Sequence, residues 1–222
     1  MGIQHVDWNA MTNPPRRVIW PSTADIPGLK EFPSGKWTGE GELSKWTPKV
    51  REFAAAHDLK SLEGIRGMCA EVYSFKKVLK TPAELAESYC KRTADEIISS
   101  RRLHVSRTGL IDRTPTSFPA VDGCLESSLA IAAALRAGGV PALFVREGLH
   151  SKVLFEFQGT RYTADESSPN AADPTGRRKG TLISGLDPRD VGMASLADYW
   201  ISLGERGLRL KERFIREHMG GQ

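Results

Sequence analysis

Residues 125–137, Leu-Glu-Ser-Ser-Leu-Ala-Ile-Ala-Ala-Ala-Leu-Arg-Ala, constrain the fold of this chain more than any other stretch. Leu125, Leu129, Ala132, Ala133 and Leu135 spread apolar surface around a helix, and Ala fills most of the rest. A helix that is apolar on most sides has to be buried. Its small side chains allow close packing against a sheet. Gly138-Gly139 stops it, and Val140-Pro-Ala-Leu-Phe-Val145 follows as an apolar strand.

A hairpin comes next. Phe157-Gln158-Gly159-Thr160 reads as a two-residue β-turn. It pairs Phe157 with Thr160, Glu156 with Arg161, Leu154 with Thr163 and Lys152 with Asp165. Side chains alternate between faces, so His150, Lys152, Leu154 and Glu156 share one face with Arg161, Thr163 and Asp165. His150 and Asp165 are then diagonal neighbours, about 7–8 Å apart at the backbone and within side-chain reach. The other face, Ser151, Val153, Phe155 and Phe157 with Thr160, Tyr162 and Ala164, is largely apolar and is expected to cover the core. Glu156 opposite Arg161 supports this register. A slip of one residue would put His150 and Asp165 on opposite faces.

Cys124 stands at the N-terminus of the buried helix. A helix start carries unpaired N–H groups and a partial positive charge, which favour a thiolate over a thiol. The same N–H groups suit an oxyanion formed when sulfur attacks a carbonyl. Cys124 alone reads as a small core residue, and His150 alone as an exposed strand-end His. A thiol at a helix start, a His on one strand and an Asp on the next together make a nucleophile, its base and the base's orienter.

These residues resemble the transglutaminase-like superfamily: Gly-Cys, an Ala/Leu helix, LRAGGVPALFV, then His, a strand, a Gly turn and RYTAD. Upstream, Thr81-Pro-Ala-Glu-Leu-Ala-Glu with Arg92-Thr-Ala-Asp-Glu-Ile97 is similar to the helix before the Cys motif in microbial members. The resemblance covers roughly residues 60–170. It implies a papain-like α+β transglutaminase core, with N-terminal helices and the Cys helix packed on an antiparallel sheet. It also implies Cys124 as nucleophile, His150 as base and Asp165 as its partner. Members include crosslinking enzymes, peptidases and de-N-glycosylating amidases, and some have lost activity, so chemistry is implied more firmly than substrate. Ser151-Lys152 after the His, Leu125 after the Cys and Glu166-Ser-Ser after the Asp depart from common patterns. None of these departures removes a catalytic group.

The leading expectation is a cysteine-dependent peptidase or amidase, in which water resolves a thioester. Transfer of the acyl group to an amine uses the same residues. A non-catalytic binding module that keeps the fold is the third class. Thr114, Thr116 and Ser117 lie near the Cys in sequence, but none is assigned as an oxyanion donor. A protein or peptide substrate is expected, with no cofactor.

Composition narrows the setting. No apolar run approaches 18 residues, so no membrane span is expected. Met1-Gly-Ile-Gln-His5 lacks a basic segment and an apolar signal core. Three cysteines without CxxC spacing form neither a disulfide framework nor a zinc knuckle, and a metal site is not expected. Cys69 and Cys90 read as core residues. A working thiolate beside two spare thiols suits a reducing cytoplasm. The net charge of +4 comes from basic residues spread among acids, which fits solvated helix faces rather than nucleic-acid binding.

Residues 1–46 are irregular and Pro/Gly-rich yet hold Trp8, Trp20, Trp37 and Trp46, so this arm is expected to dock on the core of a catalytic domain spanning 47–222. Thr47-Pro48 predicts a helix to about Ala56. Residues 61–78 read as helical, and Thr81-Pro82 opens a helix to about Ser100. Residues 101–122 read as a long loop presenting Cys124, and 167–180 as a polar loop. A strand is expected over 181–186, and a long helix from about Ser195 to His218. His57, His104 and His218 have no assigned partners and read as surface or structural.

Overall fold

The computed structural model describes residues 19–21, 37–80, 82–106, 123–147, 150–165, 182–191 and 193. They form a mixed helix-and-sheet, α+β structure. After a short strand, β1 (Ile19–Pro21), Thr47 caps α1 (Pro48–Ala55) by accepting from Val50 N at 3.3 Å, with Pro at the first position. Ser61 caps α2 (Leu62–Tyr73), accepting from Gly64 N at 3.0 Å. Ile65, Met68, Cys69 and Val72 bury one face of α2, at the spacing of an amphipathic helix.

The helix expected over 61–78 therefore ends at Tyr73, and Lys76–Lys80 is a strand, β2. The helix expected over 81–100 is two, α3 (Pro82–Ser88) and α4 (Ala94–Ser100). Between them Cys90 has φ 56°, a left-handed backbone that interrupts the helical ladder. A capping box restarts it: Thr93 Oγ1 accepts from Glu96 N, and Glu96 Oε2 accepts from Thr93 N. The expected loop 101–122 begins instead as a strand, β3 (Arg102–Ser106), which pairs in parallel with β2 from Lys76↔Arg102 to Lys80↔Ser106.

The central helix, α5 (Cys124–Ala137), is buried from Leu125 to Arg136. It packs on α1, α2 and α4, and on β4 (Ala142–Glu147) and β5 (His150–Phe157). The hairpin from β5 to β6 (Thr160–Ala164) has the expected register from Phe157↔Thr160 to Val153↔Ala164. Gln158 and Gly159 both have positive φ, 51° and 74°, as a twisted two-residue turn requires. With β7 (Leu182–Gly185) the sheet order is β1-β6-β5-β4-β7, antiparallel throughout.

Both faces of this sheet are covered. Ala142, Val153, Phe155 and Ala164 join α1, α2, α4 and α5 in the main core. Leu143, Val145 and Leu154 on the other face pack with Trp37, which is 3% exposed. The Arg161 guanidinium lies 5.5 Å from the Trp37 ring. The segment after Trp37 is tied down through Arg136, which donates to Ser44 Oγ (2.6 Å), Leu186 O (2.9 Å) and Ala142 O (3.0 Å). Asp187 Oδ2 accepts from Leu43 N at 2.8 Å. A guanidinium has enough donors to link three chain segments at once. Trp46 is half-buried under Arg51. Trp8, Trp200, residues 107–122, the loop over 167–180 and the helix expected over 195–218 lie outside the described residues. Among the described residues no helix is long and apolar enough to cross a membrane.

Candidate active site

Gly123 makes the turn into α5, with φ 84°. A Cβ there would also meet Leu103 Cβ at 3.3 Å, so the turn is both left-handed and pressed against β3. No side chain caps this helix. Cys124, its first residue, is half-buried, whereas Cys69 and Cys90 are buried in the interior, none of the three in a disulfide. Burial pushes the Cys69 thiol far up from its ordinary value.

The structure brings the three expected residues together. Asp165 directly follows β6 and is 5% exposed. His150 opens β5, and its Nε2 lies 2.7 Å from Asp165 Oδ1. Cys124 lies close enough to the imidazole to favour its charged form. Burial opposes the charged imidazole, but the hydrogen bond to Asp165, the interaction with Cys124 and the charges of both outweigh it, and the pKa is pushed up to about 10. His150 is therefore an imidazolium across the neutral range.

A second polar cluster, absent from the sequence reading, flanks the same helix start. Glu126 Oε2 accepts from Arg92 Nη1 at 2.6 Å and from His104 N at 2.8 Å. Arg92 Nη1 also reaches Arg102 O at 3.1 Å, and its Nη2 reaches Ser100 Oγ at 2.7 Å. His104 is not a surface residue. Its Nδ1 is buried without a hydrogen-bond partner, 3.8 Å from Glu126 Oε1. Burial, then the charges of Arg92 and Lys80, pull its pKa down to about 4. Burial raises the Glu126 carboxyl, against the pull of Arg92. One signal for this cluster was available in the sequence: a Glu inside a helix that is otherwise set for burial needs a partner. His57, also half-buried, sits 3.2 Å from Glu71 and edge-on to Phe53, well apart in sequence from the other groups.

Among the described residues no three or more His, Cys, Asp or Glu are grouped to hold a metal ion. Thr114, Thr116 and Ser117 lie outside the described residues. Comparison of the chain with protein-family models, with curated proteins and with solved structures gives no match.

Proposed function

We propose that this chain is a cysteine-dependent amidase or peptidase built on a papain-like transglutaminase core. One observation carries the reading: His150 has its Nε2 2.7 Å from the Asp165 carboxylate and also interacts with Cys124, which stands at a helix N-terminus. The element order supports the core, since a buried Cys helix precedes an antiparallel hairpin that supplies the His and the Asp.

The chemistry follows from that geometry. The Cys124 sulfur attacks the carbonyl carbon of a bound amide, and the amides of the first turn of α5 face the developing oxyanion. The His150 imidazolium gives its proton to the leaving nitrogen as the C–N bond breaks, leaving a thioester on Cys124 and a neutral imidazole. That imidazole then takes a proton from water, which attacks the thioester and releases an acid. An amine in place of water gives a new amide and makes the same site a transferase. Asp165 holds the ring in position and stabilises its charge throughout.

The test is adduct trapping. The protein is incubated with peptide libraries, with and without an added primary amine, quenched in acid and mapped by mass spectrometry. An acyl mass on Cys124, with acid product in water, is the expected result. Amide product that dominates when amine is added makes transfer the activity. No acyl mass on Cys124 with any library, together with a Cys124 no more reactive than Cys90, would overturn the proposal.

A further inference from the structure

The cluster beside the nucleophile has a feature that ordinary surface ion pairs lack. Among the described residues, β3 pairs with a strand, β2, on one edge only. On its other edge the Arg102 carbonyl accepts from Arg92, and the His104 N–H donates to Glu126. Residues two apart in a strand point their backbone groups to the same edge. The Arg92–Glu126 pair thus occupies the place of a third strand, with a donor and an acceptor at strand spacing. Glu126 belongs to the first turn of α5, two residues beyond Cys124. Two helical steps turn a side chain by roughly 200°, so Glu126 points to the side opposite Cys124. The Gly123 turn is pressed between them onto Leu103 and Val105 of the same strand.

We propose that Glu126 is a positioning residue for the nucleophile: by binding the edge of β3 that faces away from β2, together with Arg92, it fixes the Gly123-Cys124 turn at the place from which the sulfur meets His150. This rests on the thiol-enzyme reading of Cys124 and His150. Glu126 exchanges no proton with substrate and touches no reacting atom. Its effect is on whether the sulfur stays within reach of the imidazole. A turn free to shift by an ångström keeps the fold and loses that reach.

The experiment needs no substrate. Iodoacetamide labelling of Cys124 is followed from pH 5 to pH 10 by peptide mapping, with Cys69 labelling as a report of global opening. Wild type, Glu126→Ala, Glu126→Gln and His150→Ala are compared. An unpaired thiol is less than about 1% ionised at pH 6, so Glu126→Ala is expected to lower the pH 6 rate at least tenfold. Its rate at pH 9.5 should stay within about twofold of wild type, and Cys69 should stay protected. Gln keeps an acceptor for the His104 N–H and should lie between, which also serves if the Ala variant does not fold. Wild-type profiles in the Glu126 variants, with His150→Ala slowed at pH 6, would overturn the positioning role and leave the site intact. Equal loss at pH 6 and pH 9.5, or exposure of Cys69, would make Glu126 a structural residue only. A wild-type profile without a low-pH limb, or one unchanged by His150→Ala, sinks the reading of the site itself.

Discussion

His150 and His104 each lie beside a carboxylate near the start of the same helix, and they end in opposite states. His150 is held charged, with its pKa pushed up to about 10, while His104 is held neutral, with its pKa pulled down to about 4. Both rings are largely shielded, with side-chain exposures of 14% and 17%, so burial does not separate them. The partners do. Asp165 Oδ1 is 2.7 Å from His150 Nε2. Glu126 instead places Oε2 on Arg92 and on the His104 backbone, and leaves Oε1 at 3.8 Å from the ring. A carboxylate already neutralised by a guanidinium offers little to a second cation, and Arg92, Lys80 and Arg102 all disfavour one at His104. A carboxylate nearby does not set a histidine's charge; whether that carboxylate accepts a hydrogen bond from the ring does. One site favours a proton on its ring. The other fixes backbone.

The contrast can be broken at either end. The largest effect is expected from Asp165→Asn, which removes the charge that favours the His150 imidazolium. Turnover of any substrate found should fall by about 10²–10⁴-fold in protein that remains folded. Unchanged turnover would mean that Asp165 is not the orienter. His150→Ala comes next. Iodoacetamide labelling of Cys124 at pH 6 should slow by about 10²-fold, because the sulfur then lacks its charged imidazole partner. Equal rates in the two proteins would deny the imidazolium its role.

The smallest effect lies in stability, where the two histidines should have opposite signs. The raised pKa of His150 stabilises the fold fully below its unfolded value near pH 6.5, and that contribution is lost as pH rises toward 10. The lowered pKa of His104 works the other way. Below pH 6.5 the unfolded chain takes up the proton and the native site refuses it, so stability falls between pH 6.5 and about 4. Glu126, raised by burial, opposes that fall, so the useful quantity is the difference from His104→Asn. Urea unfolding at pH 7 and pH 4.5 should show wild type losing on the order of 2 kcal/mol more than the variant across that range. Identical losses would show that His104 titrates normally.

Legibility in the sequence followed the range of the interactions. The Gln158-Gly159 turn and the alternation on either side of it predict the β5–β6 register residue by residue, because turn chemistry and side-chain period act over a few positions. The buried helix at 124–137 is legible for the same reason. The break between α3 and α4 was present as Thr93-x-x-Glu96, a capping box hidden inside a segment with continuous helical pattern. β2 and β3 were not legible. Each is stabilised by a partner strand 26 residues away, and the Lys-rich sequence of β2 carries no period of its own. Trp37 was legible as a residue that must dock, and its place over Leu143, Val145 and Leu154 was not.

The sequence by itself determined which residues alternate, which helix is buried, and that His150 and Asp165 share a face of one hairpin. These depend on backbone geometry and local burial, which repeat every two or every three to four residues. The tertiary structure alone decided that Glu126 meets Arg92 and the edge of β3, that His104 stays neutral, and that His150 is charged. Those outcomes rest on charges 15 to 34 positions apart in the chain, brought within hydrogen-bond distance where little water screens them. At that range an ångström in one contact changes which group holds the proton, and no local pattern in the sequence carries that information.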